Sequence, residues 1–64
     1  MSENTAIQVY LSGDAEAIAL AQLVKRLSWA DCRKMATSDD EAYLMMDGVN
    51  HVMDALAEKG FQPR

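Results

Sequence analysis

Three groups of side chains in this sequence are of types that can do chemistry. His51 lies four residues after Asp47 and three before Asp54, so all three share one flank of any helix that carries them. An imidazole and two carboxylates at that spacing are ingredients of a transition-metal site. On an open helix surface such a trio holds a metal weakly, and a solvated histidine is the reading adopted. Cys32 is followed by Arg33 and Lys34, cations that favour the thiolate. A working nucleophile also needs a base, an orienting group and an oxyanion donor, and no residue pattern supplies them. Cys32 is therefore read as a small packing residue. No catalytic residue, metal or other cofactor is expected, and the chain is not expected to be an enzyme.

The third group is a row of carboxylates. From Met35 to Glu58 there are six acidic residues and no Lys or Arg, although the whole chain has ten acidic and six basic residues and a net charge of −4. Four of the cations are gathered in Lys25, Arg26, Arg33 and Lys34. Charge segregated in this way bears on partners and association rather than on fold. At about 100° per residue Asp40, Asp47 and Asp54 stack nearly in line, and Glu58 joins the same edge. Tyr43, Asn50 and His51 flank the row, and the apolar face centred on Val49 lies opposite. The row extends roughly 27 Å, with intervals of about 6 to 10.5 Å at 1.5 Å per residue. Most acidic helix faces are only solvated and serve solubility. A solvated face usually interleaves signs to gain pairs one turn apart, and this one has no cation until Lys59. The expected partner-binding residues are Asp39, Asp40, Glu41, Tyr43, Asp47, Asp54 and Glu58.

Those residues need elements to hold them, and 64 residues allow one small domain spanning 1–64. Half the residues are apolar and a quarter charged, a globular composition. A core this small leaves no room for a deep, water-excluding pocket. With one cysteine no internal disulfide can form, which fits a reducing cytosol. The opening MSENTAIQVY lacks the basic and apolar regions of a secretion signal, and no apolar run approaches a bilayer span. A soluble, cytoplasmic protein is expected.

The expected fold class is α+β, mostly helical: one N-terminal strand, a helix, a short helix and a long C-terminal helix. Thr5 to Ser12 alternates, with Ile7, Val9 and Leu11 on one side and Ala6, Gln8, Tyr10 and Ser12 on the other, the period of a half-buried strand. Gly13 breaks it, and Ser12 or Asp14 can cap the next helix. Asp14 to Leu27 is an amphipathic helix on Ala17, Leu20, Ala21, Val24 and Leu27, with Lys25 and Arg26 suiting the negative end of its dipole. Ser28 and Asp31 imitate a capping box before a short helix over Trp29 to Ala36, with Trp29 plugging the core. Ser38 and Glu41 form the reciprocal box of the long helix, whose apolar set is Ala42, Met45, Met46, Val49, Val52, Met53 and Leu56. Gly60 stops it, and Phe61 folds back onto its last turn. Gly48 costs about 1 kcal/mol against Ala inside a helix and is read as a close approach by another backbone.

Two resemblances arise from this layout. The order strand, helix, helix over Ala6 to Leu27 and the long helix resembles the ribbon-helix-helix family of dimeric DNA-binding repressors and antitoxins. That resemblance implies an intermolecular ribbon with Gln8, Tyr10 and Ser12 in the major groove. No Lys or Arg precedes Lys25, whereas phosphate contacts dominate DNA affinity, and Ser28 to Thr37 is an insertion, so this reading ranks second. As a whole the short, acidic, single-domain chain resembles the small anti-CRISPR proteins of phages and mobile elements, in particular those directed at type I-C systems. That resemblance implies a monomeric DNA mimic in the host bacterial cell. Its protein partner would be a Cascade-type effector, inhibited without catalysis at the basic surface that holds target DNA.

Overall fold

The computed structural model describes residues 5–62 and contains three helices: α1 (Asp14–Arg26), α2 (Trp29–Met35) and α3 (Asp39–Glu58). Among the described residues there is no strand, so the fold is all-α and the expected α+β class is corrected. The reason lies in what a strand requires. Alternation at Ile7, Val9 and Leu11 favours a half-buried extended segment, but its N–H and C=O groups must find a second strand. The described residues provide none. Ile7 and Val9 are 80% and 65% exposed, and only Leu11 packs on the core.

Each helix is delimited by local chemistry. The backbone at Gly13 takes φ 108°, ψ 176°, a region essentially restricted to glycine, and turns the chain into α1. Neither Ser12 nor Asp14 supplies the expected cap; Gly13 is the N-cap, and the Ser12 N–H donates to Glu16 Oε2 at 3.1 Å. Asp14 and Glu16 in the first turn and Lys25 and Arg26 in the last complement the helix dipole at both ends. At α2 the Ser28–Asp31 capping box is complete: Ser28 Oγ accepts from the Asp31 N–H at 3.3 Å, and Asp31 Oδ2 accepts from the Ser28 N–H at 3.0 Å. At α3 only half the expected box forms. Ser38 Oγ accepts from the Glu41 N–H at 3.2 Å, while the Glu41 carboxylate reaches one residue further back to the N–H (2.7 Å) and hydroxyl (3.2 Å) of Thr37.

The far end of α3 closes with a Schellman motif. The Phe61 N–H donates to the Leu56 carbonyl at 2.9 Å and the Gly60 N–H to the Ala57 carbonyl at 3.0 Å, with Gly60 at φ 91°. Phe61 packs on the cluster that contains Leu56, as the residue order implies.

α3 is the spine. α1 and α2 each pack against it and not against one another. The α1–α3 seam buries Ala17, Ala21, Val24 and Leu56, lined by half-buried Leu11, Leu20, Val49, Met53 and Phe61. The α2–α3 seam buries Cys32 and Ala42, with the Cys32 sulfur 3.3 Å from that of Met46. Small residues at both seams let the backbones approach closely, but they bury little apolar area each. Trp29 does not plug the core: it is 38% exposed and stacks on Tyr43, ring centroids 4.4 Å apart and planes tilted by 31°. Nor is Gly48 a point of close approach, since a Cβ placed there meets open space.

Candidate acidic interface on the long helix

A 20-residue helix holds its side chains in fixed azimuths, and burial on one side decides which azimuths meet water. Ala42 and Leu56 are buried, Met45, Met46, Val49 and Met53 half-buried, and Asp40, Asp47, Asp54 and Glu58 all exposed. The four carboxylates therefore form one edge, opposite the seam where α1 and α2 dock. Ser38 and Glu41 anchor the start of this rod and the Schellman turn its end, so neither end of the row lies beyond a capped terminus.

The seven expected contact residues separate into groups once their partners are seen. Asp39 is paired with Arg33, whose guanidinium also donates to the Ala36 carbonyl at 3.3 Å. Glu41 is engaged by the Thr37 N–H and hydroxyl. Tyr43, 61% exposed, carries the ring that covers Trp29. Among the described residues Asp40, Asp47, Asp54 and Glu58 make no ion pair or side-chain hydrogen bond. Asp39 and Glu41 thus serve the α2–α3 junction, and the open edge consists of the other four carboxylates beside Tyr43.

The placement of these charges costs stability. Asp54 and Glu58 are like charges one turn apart, unfavourable by about 0.2–0.5 kcal/mol. Glu58 occupies the last turn of α3, which has no basic residue, and an anion at that end of the dipole is unfavourable by about 0.3–1 kcal/mol. Arg33 meets Asp39 at the start of α3 and leaves the row open.

Among the described residues no three His, Cys, Asp or Glu side chains converge to hold a metal. His51 is exposed on α3. Cys32 is buried. A shallow depression of about 250 Å³ lies between the N-terminal segment, the start of α1 and Phe61, and is lined mainly by Val9, Tyr10, Leu11 and Ala17.

Near the acidic row, the residue that the sequence pattern misplaced is Trp29. At the first residue of α2 it stays partly exposed, so Trp29 and Tyr43 form an aromatic pair at the surface. Residues 29 and 43 belong to different helices, and only the α2–α3 docking brings them together. No helix of the described residues is long and apolar enough to cross a membrane.

No curated protein and no solved structure matches the chain. A family model matches residues 1–64, and the chain belongs to that family, a family of unknown function designated DUF7706.

Proposed function

We propose that this is a non-enzymatic binding protein whose α3 edge occupies a positively charged, nucleic-acid-binding surface of another protein. The partner we infer is a Cascade-type CRISPR effector, inhibited at the channel that holds target DNA, in the cytoplasm of a bacterial host. The observation that carries the reading is the open row Asp40, Asp47, Asp54 and Glu58 on a rigid helix, with no cation neutralising it among the described residues. The resemblance to small anti-CRISPR proteins selects the effector among basic partners.

An acidic edge docking in a basic channel gains on-rate from electrostatic steering. It also releases the anions condensed on the partner, as phosphate contacts release cations. Row intervals of about 6 to 10.5 Å are wider than the ~3.4 Å of charges along one DNA strand, so each carboxylate replaces a phosphate group position rather than tracing every one. The DNA-binding dimer ranks below this reading, since no Lys or Arg precedes Lys25 to contact phosphates. The test is competition: the protein should displace labelled target DNA from a purified effector, and the Asp47→Lys/Asp54→Lys variant should not. Undiminished displacement by that variant would remove the acidic edge from the mechanism.

A further inference from the structure

Trp29 and Tyr43 stack at the surface with ring centroids 4.4 Å apart. Single exposed apolar side chains are ordinary, but a stacked pair is a larger platform, and the core does not absorb it: Trp29 is 38% and Tyr43 61% exposed. Both rings stand on fixed elements. The Ser28–Asp31 box anchors the start of α2, where Trp29 is the first residue, and Tyr43 lies in the second turn of α3. Rigid aromatics offer contact area at little cost in conformational entropy. Trp, Tyr and Arg are also the residues on which interface energy concentrates.

The surroundings of the pair select what it can receive. On α3, Asp40 is three residues before Tyr43 and Asp47 four after, about 60° and 40° round the helix. Side chains at these spacings are neighbours, with Cβ atoms about 5–6 Å apart. Both aspartates are exposed and, among the described residues, make no ion pair or side-chain hydrogen bond. An aromatic face attracts a cation within about 6 Å of its centroid, so a cation over Tyr43 lies within one helical turn of two open carboxylates. Arg33, one turn along α2 from Trp29, is already committed to Asp39 and the Ala36 carbonyl.

We propose that the Trp29–Tyr43 pair is an arginine-binding platform: the guanidinium of an arginine on a partner protein stacks on the pair while its N–H edge donates to Asp40 or Asp47. Arginine fits where lysine does not. A guanidinium is planar and weakly hydrated, so it stacks through its face and donates through its edge; an ammonium is a compact, strongly hydrated point charge that satisfies the carboxylates alone. This platform presupposes that the α3 edge is the surface that meets a basic partner, and it names what that partner presents there. The carboxylate row then supplies attraction over distance, weakened by salt, and the aromatic pair supplies a short-range preference for one cation over another.

Hexa-arginine and hexa-lysine peptides of equal charge, titrated into the full chain at low salt, provide the test. Trp29 is the only tryptophan in the sequence, so its emission reports contact at the pair, and the anisotropy of a labelled peptide gives the affinity. The wild type should bind hexa-arginine at least about 3-fold more tightly than hexa-lysine, the scale of a cation–π contact at an exposed site. Saturation with hexa-arginine should change the Trp29 emission. Tyr43→Ala, with helicity matched by far-ultraviolet circular dichroism, should bind the two peptides equally. A wild type without preference for arginine, an emission unmoved at saturation, or a preference undiminished in Tyr43→Ala would each overturn the platform and leave the acidic edge standing. A wild type that binds neither peptide would overturn both.

Discussion

Leu56 is the largest side chain buried in the α1–α3 seam, 8% exposed among Ala17, Ala21 and Val24. Leu44, on the same helix, is 70% exposed. Leu and Ala have similar helix propensities, so Leu56→Ala and Leu44→Ala differ chiefly in burial. Truncating a buried Leu costs about 2–5 kcal/mol. A seam of small residues at the edge of the molecule relaxes partly, which places Leu56→Ala near ~3 kcal/mol on that scale. Total stability for a domain of this length is about 3–10 kcal/mol, so the variant loses a third of it or all of it. With a slope of about 1 kcal/mol per M urea for so small a chain, the midpoint should fall by about 2–3 M for Leu56→Ala. Leu44→Ala should move it by less than about 0.5 M. Urea titration followed by the helical circular dichroism signal, at one fixed protein concentration because association would shift the midpoint, measures both. Equal shifts for the two variants would refute the placement of the core.

Two further outcomes rest on the helix geometry. Gly48→Ala should raise stability by about 0.5–1 kcal/mol, since the helix gains propensity and the added Cβ meets open space; a lower urea midpoint would mean that Gly48 faces a close neighbour after all. Asp31 is held below the usual carboxylate range by the Ser28 N–H and hydroxyl, with a smaller contribution from Lys34. Because its folded pKa is depressed, its stabilisation is present above the ordinary aspartate value of about 4 and is lost as pH falls through the folded pKa. Asp31→Asn should therefore flatten the acid limb of the stability profile, and an unchanged acid limb would show that the capping carboxylate is not linked to folding.

The helices were legible because their signals are local. Ser28 with Asp31, Ser38 with Glu41, and Gly60 with Phe61 fix ends through bonds spanning three to five residues, and the apolar spacing of α3 fixes its buried face. Glu41 illustrates the limit of that reading. Its carboxylate lies near the amides of both Ser38 and Thr37, and it accepts from Thr37, a choice that the residue spacing does not distinguish. The supposed strand failed for a different reason. Alternation at Ile7, Val9 and Leu11 describes one edge only, and pairing depends on a second edge that the described residues do not contain. Trp29 was misplaced because apolar size implies burial on average, whereas its stacking on Tyr43 depends on how α2 docks. In the acidic row the azimuths of Asp40, Asp47, Asp54 and Glu58 were readable from spacing. The diversion of Asp39 to Arg33 was not, because Arg33 lies on another helix.

The central claim is that the open carboxylate edge of α3 is the surface that touches a partner. Its most direct test is the affinity for a purified Cascade-type effector of the wild type and of Asp47→Lys/Asp54→Lys, at about 50 and about 200 mM salt, with matched helicity. Wild-type binding should weaken steeply with salt, and charge reversal should cost at least about 100-fold, two opposed pairs at about 1.4 kcal/mol or more each. Equal affinity of the two proteins, or binding indifferent to salt, would contradict it.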